Sequence, residues 1–383
     1  MNRGRLGVLI VAAVLVISIA LVWTTRRNAS QETHDALLFP NLAGELATVS
    51  SVDVRKGSAT PTVSLHKKGE QWMVAQRGDY PADVSKLRKL LLSLGDAKIT
   101  EQKTSDPGNY SLIGVDDPTK ANTVGAQLDF TAKDGTHSLI VGKPSGESNF
   151  VRRTDEKVSY LVAPGIYVES EPRLWIETKL ADIPADNVDR IEYRPVTGTP
   201  YSVHRVVPPA PPAAPASAPK PSPAPAAASA AAATASPAAA PSPAAPQPPE
   251  YVLEGTPAGR KPVDSPTLAP SPAVFGNLTA DDVAAVTDID FSKPVSTVLT
   301  MKDGSTITFT GTVIGDKHWI QINAPKDEAL MGRISGRAFQ IPSYRYDGLF
   351  RPLEQLLVPK PAPPTPAAPP AKPAATKQPA KAP

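Results

Sequence analysis

Two stretches of this chain carry the same succession of strand patterns, and that repetition limits the fold more than any other feature. In the first, Ser51-Val52-Asp53-Val54-Arg55 alternates polar and apolar residues, and residues 62–67 do the same. Gln71-Trp72-Met73-Val74-Ala75 follows, then Tyr80-Pro81-Ala82-Asp83. A period of two with β-branched content predicts strands. In the second, residues 189–194, 201–206 and 250–254 read as the same three strands, closed by Lys261-Pro262-Val263-Asp264. Ser64-Leu65-His66-Lys67 answers Ser202-Val203-His204-Arg205, and Pro81-Ala82-Asp83 answers Pro262-Val263-Asp264. Further on, residues 128–136 turn at Asp134-Gly135 and residues 297–305 turn at Asp303-Gly304. Asp-Gly supplies the positive φ that a tight hairpin needs. Each hairpin leads to a strand with an aromatic, Asn149-Phe150-Val151-Arg152 and His318-Trp319-Ile320-Gln321. Any one hairpin resembles another, but four matches in one order predict an internal duplication.

The alignment assigns a place to an unusual segment. Residues 208–249 are almost entirely Pro and Ala, with no aromatic. Residues 359–383 hold ten prolines and four lysines and no acid. Neither composition can build a core, so both segments are expected to be disordered or extended as polyproline II. In the first copy the second hairpin turns at Lys68-Gly69-Glu70. The equivalent turn of the second copy is where residues 208–249 lie. The segment is therefore expected to be an insertion at a hairpin tip rather than a linker between domains. Loop-closure cost grows only logarithmically with length, so a tip tolerates such an insertion.

Helices are expected between the strands. Asp83 can cap residues 84–94, whose Val84, Leu87, Leu90, Leu91 and Leu94 share one face, with Gly95 as the stop. Residues 278–286 read as a short helix opened by Thr279. Residues 327–336 and 347–357 read as two more, the last with Leu349, Phe350, Leu353, Leu356 and Leu357 as a buried stripe. Strands and helices mix without β-α-β alternation, so the expected class is α+β: an N-terminal transmembrane helix, then two duplicated units built on antiparallel hairpins and meanders. The expected boundaries are residues 1–27 for the anchor with its flanks, 40–182 and 186–358 for the two units, 208–249 for the insertion and 359–383 for the tail.

The anchor is residues 6–23, an uncharged run from Leu6 to Trp23 that spans about 27 Å as a helix. Arg3 and Arg5 precede it, and Arg26 and Arg27 follow, so flanking charge does not set its orientation. Ser18-Ile19-Ala20 offers a signal-peptidase pattern. The apolar run continuing through Leu21, Val22 and Trp23 favours an uncleaved anchor. The net charge of +3 misleads. Without the four arginines of the first 27 residues and the five lysines of the two proline-rich segments, 31 basic groups face 37 acidic ones. A mildly acidic body with only short basic pairs, Lys67-Lys68 and Arg152-Arg153, argues against nucleic acid as a partner.

No catalytic, cofactor-binding or metal-binding residue stands out. With no cysteine there are no disulfides, thiolate nucleophiles, Fe–S clusters or zinc–thiolate sites. His34, His66, His137, His204 and His318 form no i, i+4 pair and sit in no recognisable ligand motif. Ser64-x-x-Lys67 matches the penicillin-recognising S-x-x-K pattern, but lies on an expected strand without its companion motifs. Gly142-Lys143-Pro144-Ser145-Gly146 breaks the order of a phosphate-binding loop and reads as a turn. Asp116-Asp117 before Pro118 reads as a turn cap. The Asn28, Asn109 and Asn277 sequons matter only in a glycosylating pathway.

Trp72, Tyr80-Pro81-Ala82-Asp83 with the leucine-rich helix, and Tyr110 with Leu112-Ile113-Gly114-Val115 resemble the bacterial domain of unknown function 4340. So do Val151-Arg152-Arg153, Val158-Ser159-Tyr160-Leu161-Val162, Leu174-Trp175-Ile176, the stretch from Arg333 to Pro342, and Leu353-Glu354-Gln355-Leu356-Leu357. The resemblance covers about residues 40–358 apart from the insertion, and its motifs are structural. It implies an inner-membrane, single-pass protein with its bulk in the periplasm, often encoded beside gliding-motility-type ABC exporters. The expectation is a non-enzymatic auxiliary or scaffold of an ABC-type transport system, with permease and ATPase subunits as partners. An envelope binding module for polysaccharide or peptide is the alternative, and an unrecognised carboxylate hydrolase the third.

Overall fold

The computed structural model describes residues 35–206 and 250–359, together with Leu15, Ile17 and Ser18, which are helical. Most of the expected anchor, the 208–249 insertion and the tail from residue 360 lie outside the described residues. Among the described residues no helix is long and apolar enough to cross a membrane.

The first 35–181 residues give ten strands and three helices. They are α1 (Leu42–Glu45), β1 (Ser51–Arg55), β2 (Val63–Lys68), β3 (Gln71–Val74), β4 (Tyr80–Pro81), α2 (Val84–Asp96), β5 (Lys98–Gln102), α3 (Tyr110–Ile113), β6 (Ala126–Ala132), β7 (Gly135–Ser145), β8 (Ser148–Arg153), β9 (Ser159–Ala163) and β10 (Lys179–Ala181). The remainder gives β11 (Val188–Arg194), β12 (Tyr201–Val206), β13 (Glu250–Glu254), α4 (Ser265–Leu268), β14 (Leu278–Thr279), β15 (Asp282–Ala285), β16 (Val295–Met301), β17 (Thr306–Ile314), β18 (Lys317–Asn323), α5 (Glu328–Ile334), β19 (Arg337–Ile341) and α6 (Ser343–Leu349).

The strands form two large antiparallel sheets, which makes the class α+β. The first has the order β4-β3-β2-β1-β6-β7-β8-β9-β5 and the second β13-β12-β11-β16-β17-β18-β19-β15. Apart from the two-residue β4, the connection pattern is the same. The registers also correspond. Val52 faces Leu65 and Phe130 across its two neighbours, and Ile191 faces Val203 and Leu299. Ala82 bridges Ile176, and Pro262 bridges Leu357. β12 pairs with β13 up to Val206 opposite Glu250, so the insertion joins the ends of two paired strands. In the first sheet that place is a two-residue turn at Gly69, whose φ is 63°.

Strand burial follows alternation. Val52 and Val54 point inward from β1, and Tyr251 and Leu253 from β13. Asp129 breaks the pattern on β6, and its partners explain why. It accepts from Gln127 at 2.7 Å and Ser138 at 2.5 Å and pairs with Arg55. A carboxylate taken from water needs such compensation. One continuous buried cluster runs through both sheets.

Three helix expectations need correction. Residues 278–286 are not helical: they form β14 and β15, because β15 completes the second sheet against β19 with Val283 opposite Phe339. The helix expected over 347–357 begins earlier, as α6, and ends at Leu349. Pro352 then opens a separate 3₁₀ turn at Leu353–Leu356, since a proline lacks the amide to continue an α-helix. Gly95 is not the stop of α2, which runs to Asp96. This glycine packs inside the helix against the α1 segment, where a Cβ would lie in ordinary contact, 3.5 Å from Ala43 Cα and Leu46 Cδ1. The expectations for α2 and α5 hold. Asp83 accepts from the amides of Ser85 and Lys86, and Asp327 from that of Leu330.

A candidate binding cleft between the two sheets

The edge of the first sheet meets the second through arginines. Gly78 and Asp79 both adopt positive φ, 61° and 51°, after a 3₁₀ turn at Ala75–Arg77. That tight reversal aims their carbonyls at Arg337, which donates to them at 2.9 and 3.1 Å. The same guanidinium lies over the Tyr80 ring, 5.4 Å from its centroid. Arg77 makes a forked pair with Asp282 at 2.6 and 3.1 Å, with both side chains largely buried. Arg333 donates to the carbonyl of Leu180. Tyr80 packs edge-on against Phe339, centroids 5.7 Å apart, and β10 pairs with β14.

Beside this seam opens a cleft of about 690 Å³, with Lys68, Asp79, Asp182, Asp327, Arg333 and Arg337 among its walls. The volume suits a small ligand or a short stretch of polymer. Its charged groups are already engaged. Asp79 lies 3.3 Å from His66 Nε2 and 3.6 Å from Lys68 Nζ. Asp327 caps α5. Asp182 accepts from the Asn277 amide at 3.0 Å and from Lys179 at 3.2 Å, and these bonds, the amide first, hold its carboxyl below the usual carboxylate range. Burial pushes the Tyr80 hydroxyl up to about 12, so it stays protonated at neutral pH. A general acid or base needs a pKa near the working pH, which neither Asp182 nor Tyr80 has.

The residues singled out from the sequence are dispersed. His66 and His204 occupy matching ladder positions, opposite Ser51 and Arg190. His204 Nδ1 is 3.7 Å from Glu254, too far for a hydrogen bond. His137 stacks on Phe130 at 5.0 Å and pairs with Asp134 at 2.9 Å. His318 packs on Tyr346, 5.0 Å away, and His34 lies outside the described residues. Ser64 and Lys67 both lie on β2, on opposite faces, so no nucleophile–base pair forms between them. Gly142 to Gly146 form the end of β7 and its turn, and Lys143 donates to the Leu112 carbonyl at 2.9 Å. Asp117 caps its turn by accepting from the Thr119 amide and hydroxyl at 2.9 and 2.7 Å. Among the described residues no group of three His, Cys, Asp or Glu is placed to hold a metal ion. The cleft was not legible in the sequence. Its walls bring Asp79 together with Arg333 and Arg337, more than 250 residues away. The local signal that could have pointed there is the Gly78-Asp79 dipeptide, a pair of turn-favouring residues.

No curated protein and no solved structure matches the chain. A family model described as a domain of unknown function (DUF4340) matches residues 72–236, from β3 through β12 and into the Pro/Ala insertion. Over those residues the match supports membership of the DUF4340 family.

Proposed function

We propose that this is a non-enzymatic, membrane-anchored protein with its two sheets in the periplasm, working as an auxiliary or scaffold of an ABC-type transport system. We further infer that residues 40–182 and 186–358 are two copies of one duplicated α+β unit, a reading supported by the shared strand order and matching registers. The observation that carries the functional reading is the state of the cleft's charged groups. Arg337 and, beside the cleft, Arg77 tie the two sheets together, Arg333 holds the β10 backbone, and the carboxylates cap backbone or pair with neighbours. Groups so committed build a fixed surface rather than a reacting centre. The apolar run of residues 6–23 and the family's association with exporters point the surface toward a membrane partner.

Affinity purification from gently solubilised membranes tests this, comparing the full chain with a version lacking residues 6–23. Co-purification of permease and ATPase subunits with the intact chain is the expected result. Recovery of the protein alone, with crosslinking in intact membranes also finding no partner, sinks the proposal. The cleft's size supports a second reading, an envelope binding module for polysaccharide or peptide. That reading requires a ligand to raise the melting temperature without any protein partner.

A further inference from the structure

A second groove, of about 470 Å³, lies on the second sheet, away from the inter-sheet cleft. Its walls include the rings of Tyr193, Tyr201 and Phe350 and the prolines Pro195, Pro257 and Pro352. Tyr193 and Tyr201 stack with centroids 5.2 Å apart. The Tyr193 hydroxyl is buried and has no hydrogen-bond partner. The matching ladder positions of the first sheet hold the aliphatic side chains of Val54, Val63 and Leu128 instead.

We propose that this groove receives the chain's own C-terminal segment, residues 360–383, as a polyproline II helix. Aromatic-walled grooves recognise that conformation because proline rings pack flat on aromatic faces. The helix has three residues per turn and no internal hydrogen bonds, so its carbonyls stay free to accept from donors on the groove's rim. The segment has the required period. Pro363, Pro366 and Pro369 fall on one edge, and Pro361, Pro364, Pro370 and Pro373 on a second.

Position favours this occupant. The chain leaves the described body at the groove's own wall. Glu354 lines the groove and is held by Arg260 at 2.9 Å. Four residues on, the Val358 amide donates to the Lys261 carbonyl at 2.9 Å, on the same loop that supplies Pro257. The segment begins two residues after that. Twenty-four residues of polyproline II reach about 74 Å at ~3.1 Å each, far more than the groove requires. Tethering so close makes docking intramolecular, with an effective concentration on the order of millimolar.

The chain has no cysteine, so introduced thiols can be labelled uniquely. The full-length protein in detergent micelles, carrying Thr197→Cys on the groove rim and Ala374→Cys in the tail, is labelled with nitroxides for pulsed dipolar spectroscopy. A narrow distance component is expected. It should be lost when Pro363→Gly, Pro366→Gly and Pro369→Gly are combined, changes that leave the folded body untouched. A broad, coil-like distribution in the parent protein overturns the proposal, and so does a narrow component that survives the three glycines. A narrow component seen only when the tail label is moved to Ala227→Cys assigns the groove to the internal Pro/Ala segment instead. Dipolar coupling in a mixture of singly labelled chains assigns it to a second copy. Either outcome also overturns docking of the tail in its own chain.

Discussion

Gly311 is the most sensitive test of how the second sheet is packed. It sits on β17 opposite Val295 and Ile320, the ladder position that Val141 fills in the first sheet opposite Ala126 and Val151. A Cβ at Gly311 would lie 2.6 Å from Phe350 Cζ and 2.8 Å from Tyr346 Cε2. Carbon atoms in contact sit about 3.5–4.0 Å apart, so the Phe350 ring would have to move by roughly 1 Å or more. It cannot move alone, because its centroid is 4.6 Å from that of Tyr346, which packs in turn on His318. Forcing a methyl into such a site costs about 1–3 kcal/mol. Replacing a strand glycine recovers up to about 1 kcal/mol of unfolded-chain entropy. Gly311→Ala is therefore expected to lose about 1–2 kcal/mol, a fall in melting temperature of roughly 2–8 °C by circular dichroism. Gly332→Ala is the control. It lies inside α5 with nothing within 4 Å of its Cβ, so it should stabilise by about 0.5–1 kcal/mol. Gly311→Ala at or above the parent's stability would refute the argument, because the two rings would then not be packed against the strand.

Asp83→Ala removes the cap of α2 and should cost about 1 kcal/mol, read as a lower urea midpoint with unchanged slope. The Asp182 carboxyl is held below its unfolded pKa, so its contribution is complete above about pH 5 and is lost as pH falls through the folded value. Asp182→Asn should lower the melting temperature at pH 7 and flatten the acid limb of a stability–pH curve, and equal slopes would remove Asp182 from the account. Tyr80 runs the other way, with a hydroxyl near 10 unfolded and about 12 folded. Its neutral form favours the fold below pH 10, and that stabilisation disappears as pH rises toward 12. Because the hydroxyl has no partner, Tyr80→Phe should be neutral or stabilising at pH 7 and should steady the protein above pH 10, as followed by alkaline melts.

What the sequence disclosed and what it withheld divide along physical lines. Period-2 alternation revealed β1, β2, β12 and β13 nearly to the residue, because each buries one face only. The pairing of Val206 with Glu250 across the insertion was legible because the second copy could be laid on the first. Residues 278–286 misled. Ala284 and Ala285 disfavour a strand, and β15 forms against β19, more than fifty residues later, which supplies its ladder. The end of the chain misled for a similar reason. Its leucine spacing suits a helix, but Pro352 interrupts the run. Both the cleft and the groove were invisible, since each is made where residues far apart in sequence meet.

The groove follows from how the second sheet compensates for a missing helix. In the first sheet, Pro81-Ala82-Asp83 leads into the thirteen-residue α2, which buries Leu87, Leu90, Leu91 and Leu94. In the second, Pro262-Val263-Asp264 leads only into the four-residue α4. The row of ladder partners Val63, Val54, Leu128 and Leu139 in the first sheet becomes Tyr201, Tyr193, Thr297 and Phe309 in the second. The new hydroxyls have a use that aliphatic side chains cannot supply. Thr297 donates to the Leu349 carbonyl at 2.7 Å, and Tyr201 donates to the Arg351 carbonyl. Those are the bare acceptors left where α6 ends and Pro352 begins. The hydroxyls thus pin an irregular segment over a sheet that a short helix leaves uncovered. Of the two tyrosines and the threonine, only Tyr193 makes no such bond. Its hydroxyl is thus the unused, enclosed donor of a row otherwise devoted to holding extended backbone.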